Sequence, residues 1–151
     1  MSLELSDVIH TRAQAFEALK LIAARHGRSL NPDSLKARAH RSGQQRQIVA
    51  LCDALIDLLS AMFGVSGAEL RSPLRCRREV ARVRQVGMYV AHTAFGLAMS
   101  DVAVGFARDR STVMHACHLV EDMRDDTDFD AVVSAFERIA RSAFTAWRMA
   151  A

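Results

Sequence analysis

The sequence predicts an all-α fold, a helical bundle of about seven helices in which apolar residues recur at three- and four-residue steps. Its 151 residues, half of them hydrophobic and a quarter charged, match one globular domain with its own core. Two prolines and seven glycines are too few chain breakers for the many turns of a β-sandwich or barrel.

Three helices are predicted in the first part of the chain. An amphipathic helix covers about residues 7–25. A short basic helix follows Asn31-Pro32 and stops at Ser42-Gly43, and a mostly buried helix covers about residues 44–63. We therefore expect an N-terminal helical extension, residues 1–45, that packs on a domain of residues 46–151 to form one compact unit.

The second part of the chain begins with a capped turn of helix and a loop after Pro73 that carries Arg75, Arg77 and Arg78. We call this loop, residues 72–78, the basic loop. A helix from about residue 78 to 95 or 96 follows it, and the last helix carries an apolar stripe from Phe129 to Trp147.

Between these two helices the spacing is that of a helix-turn-helix. Ser100-Asp101 caps a first short helix that contains Ala103, and the small residue Ala107 lies where the chain turns. Asp109 caps the second helix, and Val113 is its inward anchor. Such spacing also fits a plain helical hairpin, so this pattern alone leaves both structures open.

Charge is distributed in blocks. The cations are 18 Arg and 2 Lys, and residues 25–46 and 71–92 each carry a net charge of +5 while residues 121–130 carry −5. A solvated surface explains most such blocks, but the arginines around the basic loop favour an anionic partner.

Other features exclude several classes of protein. No apolar run is long enough for a membrane span, and charged residues interrupt the place of a secretory signal, which predicts a cytoplasmic protein. The three cysteines, Cys52, Cys76 and Cys117, form no C-x-x-C pair and are expected to be reduced. His115, Cys117 and His118 lie too close on one helix for a structural zinc site, so no metal is expected, and no feature of the sequence indicates a cofactor.

About sixty residues, 63–124, resemble the C-terminal DNA-binding domain (domain IV) of the bacterial chromosomal replication initiator DnaA. The Phe63-Gly64-Val65 segment and the Ala-Arg-x-x-Gln helix at residues 81–85 carry part of the resemblance. Its most specific motif is the run Arg108-Asp109-Arg110-Ser111-Thr112-Val113-Met114-His115-Ala116-Cys117.

The resemblance implies a DnaA domain IV-like, Trp-repressor-like helix-turn-helix that binds double-stranded DNA at a DnaA-box-like site in the nucleoid. It places the first turn of the second helix in the major groove, the basic loop in the minor groove, and Arg108, His92 and His115 near phosphates. The candidate DNA-binding residues are Arg75, Arg77, Arg78, Arg84, His92, Ser100, Arg108, Asp109, Arg110, Ser111, Thr112 and His115.

The sequence departs from the DnaA pattern at three points. Cys76 stands where an initiator places its groove-reading arginine, the turn is one residue shorter, and Arg110 replaces a histidine. The chain contains no G-x-x-x-x-G-K-[ST] phosphate loop and is too short for an added ATPase module.

We therefore expect a stand-alone sequence-specific DNA binder without enzymatic activity, acting in transcription or at replication origins. A protein-interaction adaptor that retains the same fold is the alternative. An enzyme is the weakest interpretation, because no catalytic arrangement of side chains stands out. A homodimer through the N- or C-terminal helix stays open.

Overall fold

The computed structural model describes residues 17, 21, 24, 25 and 32–150, with side chains at the first four positions and at 42–145. Within this part the chain is all-α and forms six helices, which confirms the predicted fold class and comes close to the predicted count. The predicted helix at residues 7–25 lies almost entirely outside the described residues. The helices are α1 (Pro32–Phe63), α2 (Gly67–Arg71), α3 (Arg78–Thr93), α4 (Met99–Phe106), α5 (Arg110–Met123) and α6 (Thr127–Ala150).

The chain divides into two compact units, residues 1–43 and 44–151. The predicted helix break at Ser42-Gly43 is wrong, because α1 is continuous from Pro32 to Phe63. A single glycine costs a helix about 1 kcal/mol relative to alanine, which is too little to end a helix of this length. The relation of the predicted extension, residues 1–45, to the domain of residues 46–151 stays a prediction.

Most helix ends lie within two residues of their predicted positions. Gly64 follows α1 with φ of +64°, a left-handed conformation that glycine adopts without the steric cost of a Cβ atom. Helix α3 ends at Thr93, slightly earlier than expected. Helix α4 begins at Met99 with Ala98 as its N-cap, so the predicted Ser100-Asp101 cap is wrong.

The core of residues 44–151 is built around α3, whose stretch from Val86 to Ala91 is buried. Two aromatic contacts join α6 to other parts of the domain. The ring centroids of Phe136 and Phe63 are 6.1 Å apart, and those of Phe144 and Phe95 are 5.0 Å apart. The fully buried side chains include Cys52, Leu55, Leu59, Leu70, Met88, Val80, Val90, Val102, Val113, Val120, Val133 and Phe136.

Helix α1 approaches α4 closely at Gly105. A Cβ atom added to Gly105 would lie 2.7 Å from the Cβ atom of Cys52 and closer still to its sulfur. Because helices can pack this tightly only where a side chain is missing, Gly105 determines how near the helix-turn-helix lies to α1. The same burial, with the charges of Asp53 and Asp101, raises the pKa of the Cys52 thiol to about 12.

Arg124 joins α3 and α6 at the end of α5. Its Nε atom lies 2.5 Å from an oxygen of Asp130 and its Nη1 atom 2.7 Å from an oxygen of Glu137. The guanidinium also donates to the hydroxyl of Tyr89, which in turn donates to Glu121. Burial by itself lowers the pKa of Arg124, but these hydrogen bonds outweigh it and raise the pKa. Two residues of the acidic segment 121–130, Glu121 and Asp130, therefore help to stabilise the fold.

Candidate nucleic-acid interface

The turn between α4 and α5 is sharp because Ala107 adopts a left-handed conformation, with φ 51° and ψ 48°. This conformation costs an L-residue about 1–2 kcal/mol. Backbone hydrogen bonds offset that cost: the amide of Ala107 donates to Val104 at 3.2 Å, and the amide of Arg108 donates to Ala103 at 2.9 Å. The predicted turn residue is confirmed.

The first turn of α5 faces solvent while its other side is anchored in the core. Arg110, Ser111 and Thr112 are exposed, whereas Val113 and Ala116 are fully buried. Asp109 is the N-cap by backbone conformation, and its side chain makes no capping hydrogen bond. Since the first amides of a helix have no partner within the helix, this turn offers amides as well as side chains to an anion.

The basic loop lies between α2 and α3, and its last residue, Arg78, is also the first residue of α3. Arg75, Arg77 and Arg78 are all exposed. Arg77 pairs with Glu69 at 3.4 Å. In the part of the chain that the structure describes, Arg75 and Arg78 have no hydrogen bond or ion pair, so their charges are free to bind an anion.

The sequence predicts that Arg84 contacts DNA, whereas its side chain lies inside the protein. Its side chain is only 8% exposed, and its guanidinium donates inward to backbone carbonyls, to Leu70 at 2.8 Å and to Glu69 at 2.9 Å. A third donor reaches the sulfur of Cys76 at 3.5 Å. The structure therefore places Arg84 beneath the basic loop rather than on the surface.

Arg108 lies between the basic loop and the turn that precedes α5. Its guanidinium donates to the carbonyl of Ser72 in the basic loop and to the carbonyl of Ala107 in the turn. Burial and the nearby positive charge of Arg84 lower the pKa of Arg108. One side chain thus contacts both the basic loop and the turn of the helix-turn-helix.

The remaining predicted residues are His92, Ser100 and His115. His92 is half-buried, and its Nδ1 atom lies 2.7 Å from the carbonyl oxygen of Leu97, which occupies that ring nitrogen inside the protein. Ser100 and His115 are exposed.

A depression of about 420 Å³ lies between the basic loop and the helix-turn-helix. Pro73, Arg108, Asp109 and Thr112 line it together with Val104, which is 45% exposed. Sequence reasoning missed Val104, because an apolar residue at that position of a short helix gives no sign of being at the surface. The depression brings residues from both predicted DNA-binding elements to one place.

No group of three or more His, Cys, Asp or Glu side chains among the described residues could bind a metal ion. Across the same residues, no helix has the length and hydropathy to cross a membrane.

Comparisons with known proteins agree with the helix-turn-helix fold. Residues 52–120 match the family described as bacterial DnaA protein helix-turn-helix. The chromosomal replication initiator protein DnaA of Pseudothermotoga lettingae is 35% identical over 89 residues, 59% of this chain and 20% of that protein. The chain therefore spans about one fifth of the length of this relative.

Two solved structures share the fold. A replication initiator DnaA bound to AMPPCP and single-stranded DNA superposes with a TM-score of 0.57 at 20% identity, covering 66% of this chain and 30% of that one. AMPPCP-bound DnaA from Aquifex aeolicus gives 0.57 at 17% identity, covering 89% and 38%. Residues 52–120 of this chain thus match the bacterial DnaA helix-turn-helix family, and the solved structures share its fold.

Proposed function

We propose that this protein binds double-stranded DNA sequence-selectively, with α5 in the major groove and the basic loop against the backbone or minor groove. In this proposal it regulates transcription or replication origins at DnaA-box-like sites, in the cytoplasm at the nucleoid. It acts by binding, without ATPase or other enzymatic activity.

The observation that carries the proposal is that the first turn of α5 is exposed while the inner side of the same helix is packed in the core. Arg110, Ser111 and Thr112 point to solvent, while Val113 and Ala116 are at most 1% exposed. A rigid helix of this kind presents side chains to base edges in a fixed register. An arginine donates two hydrogen bonds to a guanine edge, and a threonine methyl contacts a thymine methyl.

The charge of the surroundings supports the same proposal. Arg75 and Arg78 lie on the basic loop side, and neither is neutralised by a described partner. Phosphate contacts from such residues position a protein on the duplex, whereas the base contacts specify the sequence. The two kinds of residue occupy adjacent elements here, as sequence-selective binding requires.

The test begins with selection of a preferred site from a random duplex library. Arg110→Ala and Thr112→Ala should each cost about 1–3 kcal/mol on the selected site and much less on random duplex. Arg138→Ala, which removes an exposed arginine of α6, is the matched control and should leave both affinities unchanged.

The outcomes separate the proposals. Equal losses on selected and random duplex would contradict base recognition by α5. A wild-type protein without affinity for any duplex, even at low salt, would instead favour the protein-interaction adaptor.

A further inference from the structure

The segment that leads into the basic loop has few hydrogen bonds within itself. Within it, the amide of Ser72 donates to the carbonyl of Glu69 at 3.3 Å, and the amide of Leu74 donates to the hydroxyl of Ser72 at 3.2 Å. These two local bonds, together with the exposed ion pair of Arg77 and Glu69 at 3.4 Å, do little to restrict the loop. Its fixed course must therefore depend on other parts of the chain.

Arg84 supplies bonds from the α3 side. Its three nitrogen atoms each have an acceptor: the carbonyls of Leu70 and Glu69 and the sulfur of Cys76. Two of these acceptors lie in α2, just before the basic loop, and the third is on Cys76 near the end of the loop, so one guanidinium contacts the chain at both places. A planar guanidinium is suited to this, since its donors diverge in a rigid fork.

Arg108 supplies a bond from the other side. It donates to the carbonyl of Ser72, which is 36 residues away in sequence. It also donates to the carbonyl of its neighbour Ala107 in the left-handed turn. The basic loop is thereby joined to the turn that sets the direction of α5.

The same contacts weigh against phosphate binding by these two arginines. All three nitrogen atoms of Arg84 already have acceptors, and the side chain is 8% exposed. Both terminal nitrogen atoms of Arg108 donate to carbonyls. Arg75 and Arg78, in contrast, are exposed and have no described partner.

We propose that Arg84 and Arg108 are positioning residues that fix the basic loop relative to the helix-turn-helix, so that both elements reach one DNA duplex together. This inference rests on the proposed DNA binding. It removes two arginines from the phosphate-contacting set and gives them a specific internal task.

The first measurement needs no DNA. Backbone order parameters from ¹⁵N relaxation in the free, full chain should be about 0.85 at residues 72 and 74–77, as for rigid backbone, and should fall below about 0.6 in Arg108→Met. The variant Arg75→Met, which removes a surface charge from the same loop, is the matched control and should leave them unchanged. Arg84→Met should act like Arg108→Met; if it does not fold, Arg108→Met decides the result alone. Unchanged order parameters in Arg108→Met overturn the proposal.

The second measurement uses the selected duplex over a salt series. Arg108→Met should weaken binding about tenfold, because loop residues must then be ordered on binding, and should leave the slope of log affinity against log salt unchanged. A slope flattened by about 0.9 would mark Arg108 as a phosphate ligand and overturn the proposal.

A double-mutant cycle separates positioning from general stabilisation. If Arg108 positions the basic loop, Arg75→Met should cost less affinity in the Arg108→Met background than in the wild type. An equal cost in both backgrounds overturns the proposal. A wild-type protein that binds no duplex contradicts the proposed function instead, and the order parameters then decide the role of Arg108 without DNA.

Discussion

Neutralising Arg75 and Arg78 together should make DNA binding much less sensitive to salt. Each phosphate contact releases condensed counterions and contributes about 0.9 to the slope of log affinity against log salt. Both arginines are exposed and lack described partners, whereas Arg77 shares its charge with Glu69 at 3.4 Å. The double variant Arg75→Met/Arg78→Met should therefore flatten the slope by about 1.8.

This slope difference translates into a large change in affinity. Raising salt fourfold, from 50 to 200 mM, should weaken the wild type about twelvefold more than the double variant. The assay is fluorescence anisotropy with a labelled random duplex at five salt concentrations. Arg138→Met/Arg141→Met, which removes two exposed arginines of α6, is the control with an equal change of charge and should keep the wild-type slope.

An unchanged slope in the Arg75→Met/Arg78→Met variant would refute the reasoning, because the basic loop then would not touch phosphate. The cations of residues 25–46, the other block with a net charge of +5, would become the next candidates. A slope that flattens equally in the control would refute it in another way, because the effect would then follow net charge and not position.

Three further predictions concern packing, thiol chemistry and nucleotide binding. Gly105→Ala should lower the free energy of unfolding by about 1–3 kcal/mol in urea titrations, because the new methyl group meets Cys52; Gly43→Ala, with no atom within 4 Å of the new methyl group, should not lower it. In native protein at pH 8, Ellman's reagent should modify Cys76 first, because Cys52 and Cys117 are buried and burial raises the pKa of both thiols; prompt reaction of all three would contradict this. Calorimetry should detect no micromolar binding of ATP, since the sequence contains no phosphate loop, and a stoichiometric binding isotherm would disprove that expectation.

Local patterns in the sequence predicted the α-helical class, but they fitted a helix-turn-helix and a plain helical hairpin equally well, and the resemblance to the DnaA family decided between these two structures. Helical periodicity places Val113 and Ala116 on the side opposite Ser111, and this follows from 3.6 residues per turn without any tertiary contact. The turn at Ala107 was likewise predictable, because a small residue and a polar cap at fixed spacing are local requirements. The continuity of α1 through Gly43 was not predictable in this way, because the cost of one glycine is small compared with the stability of a long helix.

Tertiary structure alone decided what each arginine contacts. In the sequence, Arg84 belongs to the same basic block as Arg75, whereas Arg108 is placed near phosphates by the resemblance to the DnaA family. Their acceptors are backbone carbonyls of Glu69, Leu70 and Ser72, up to 36 residues away, and every residue type has such a carbonyl. No side-chain pattern can therefore reveal these bonds, which depend on how α3 and the turn before α5 pack around the loop.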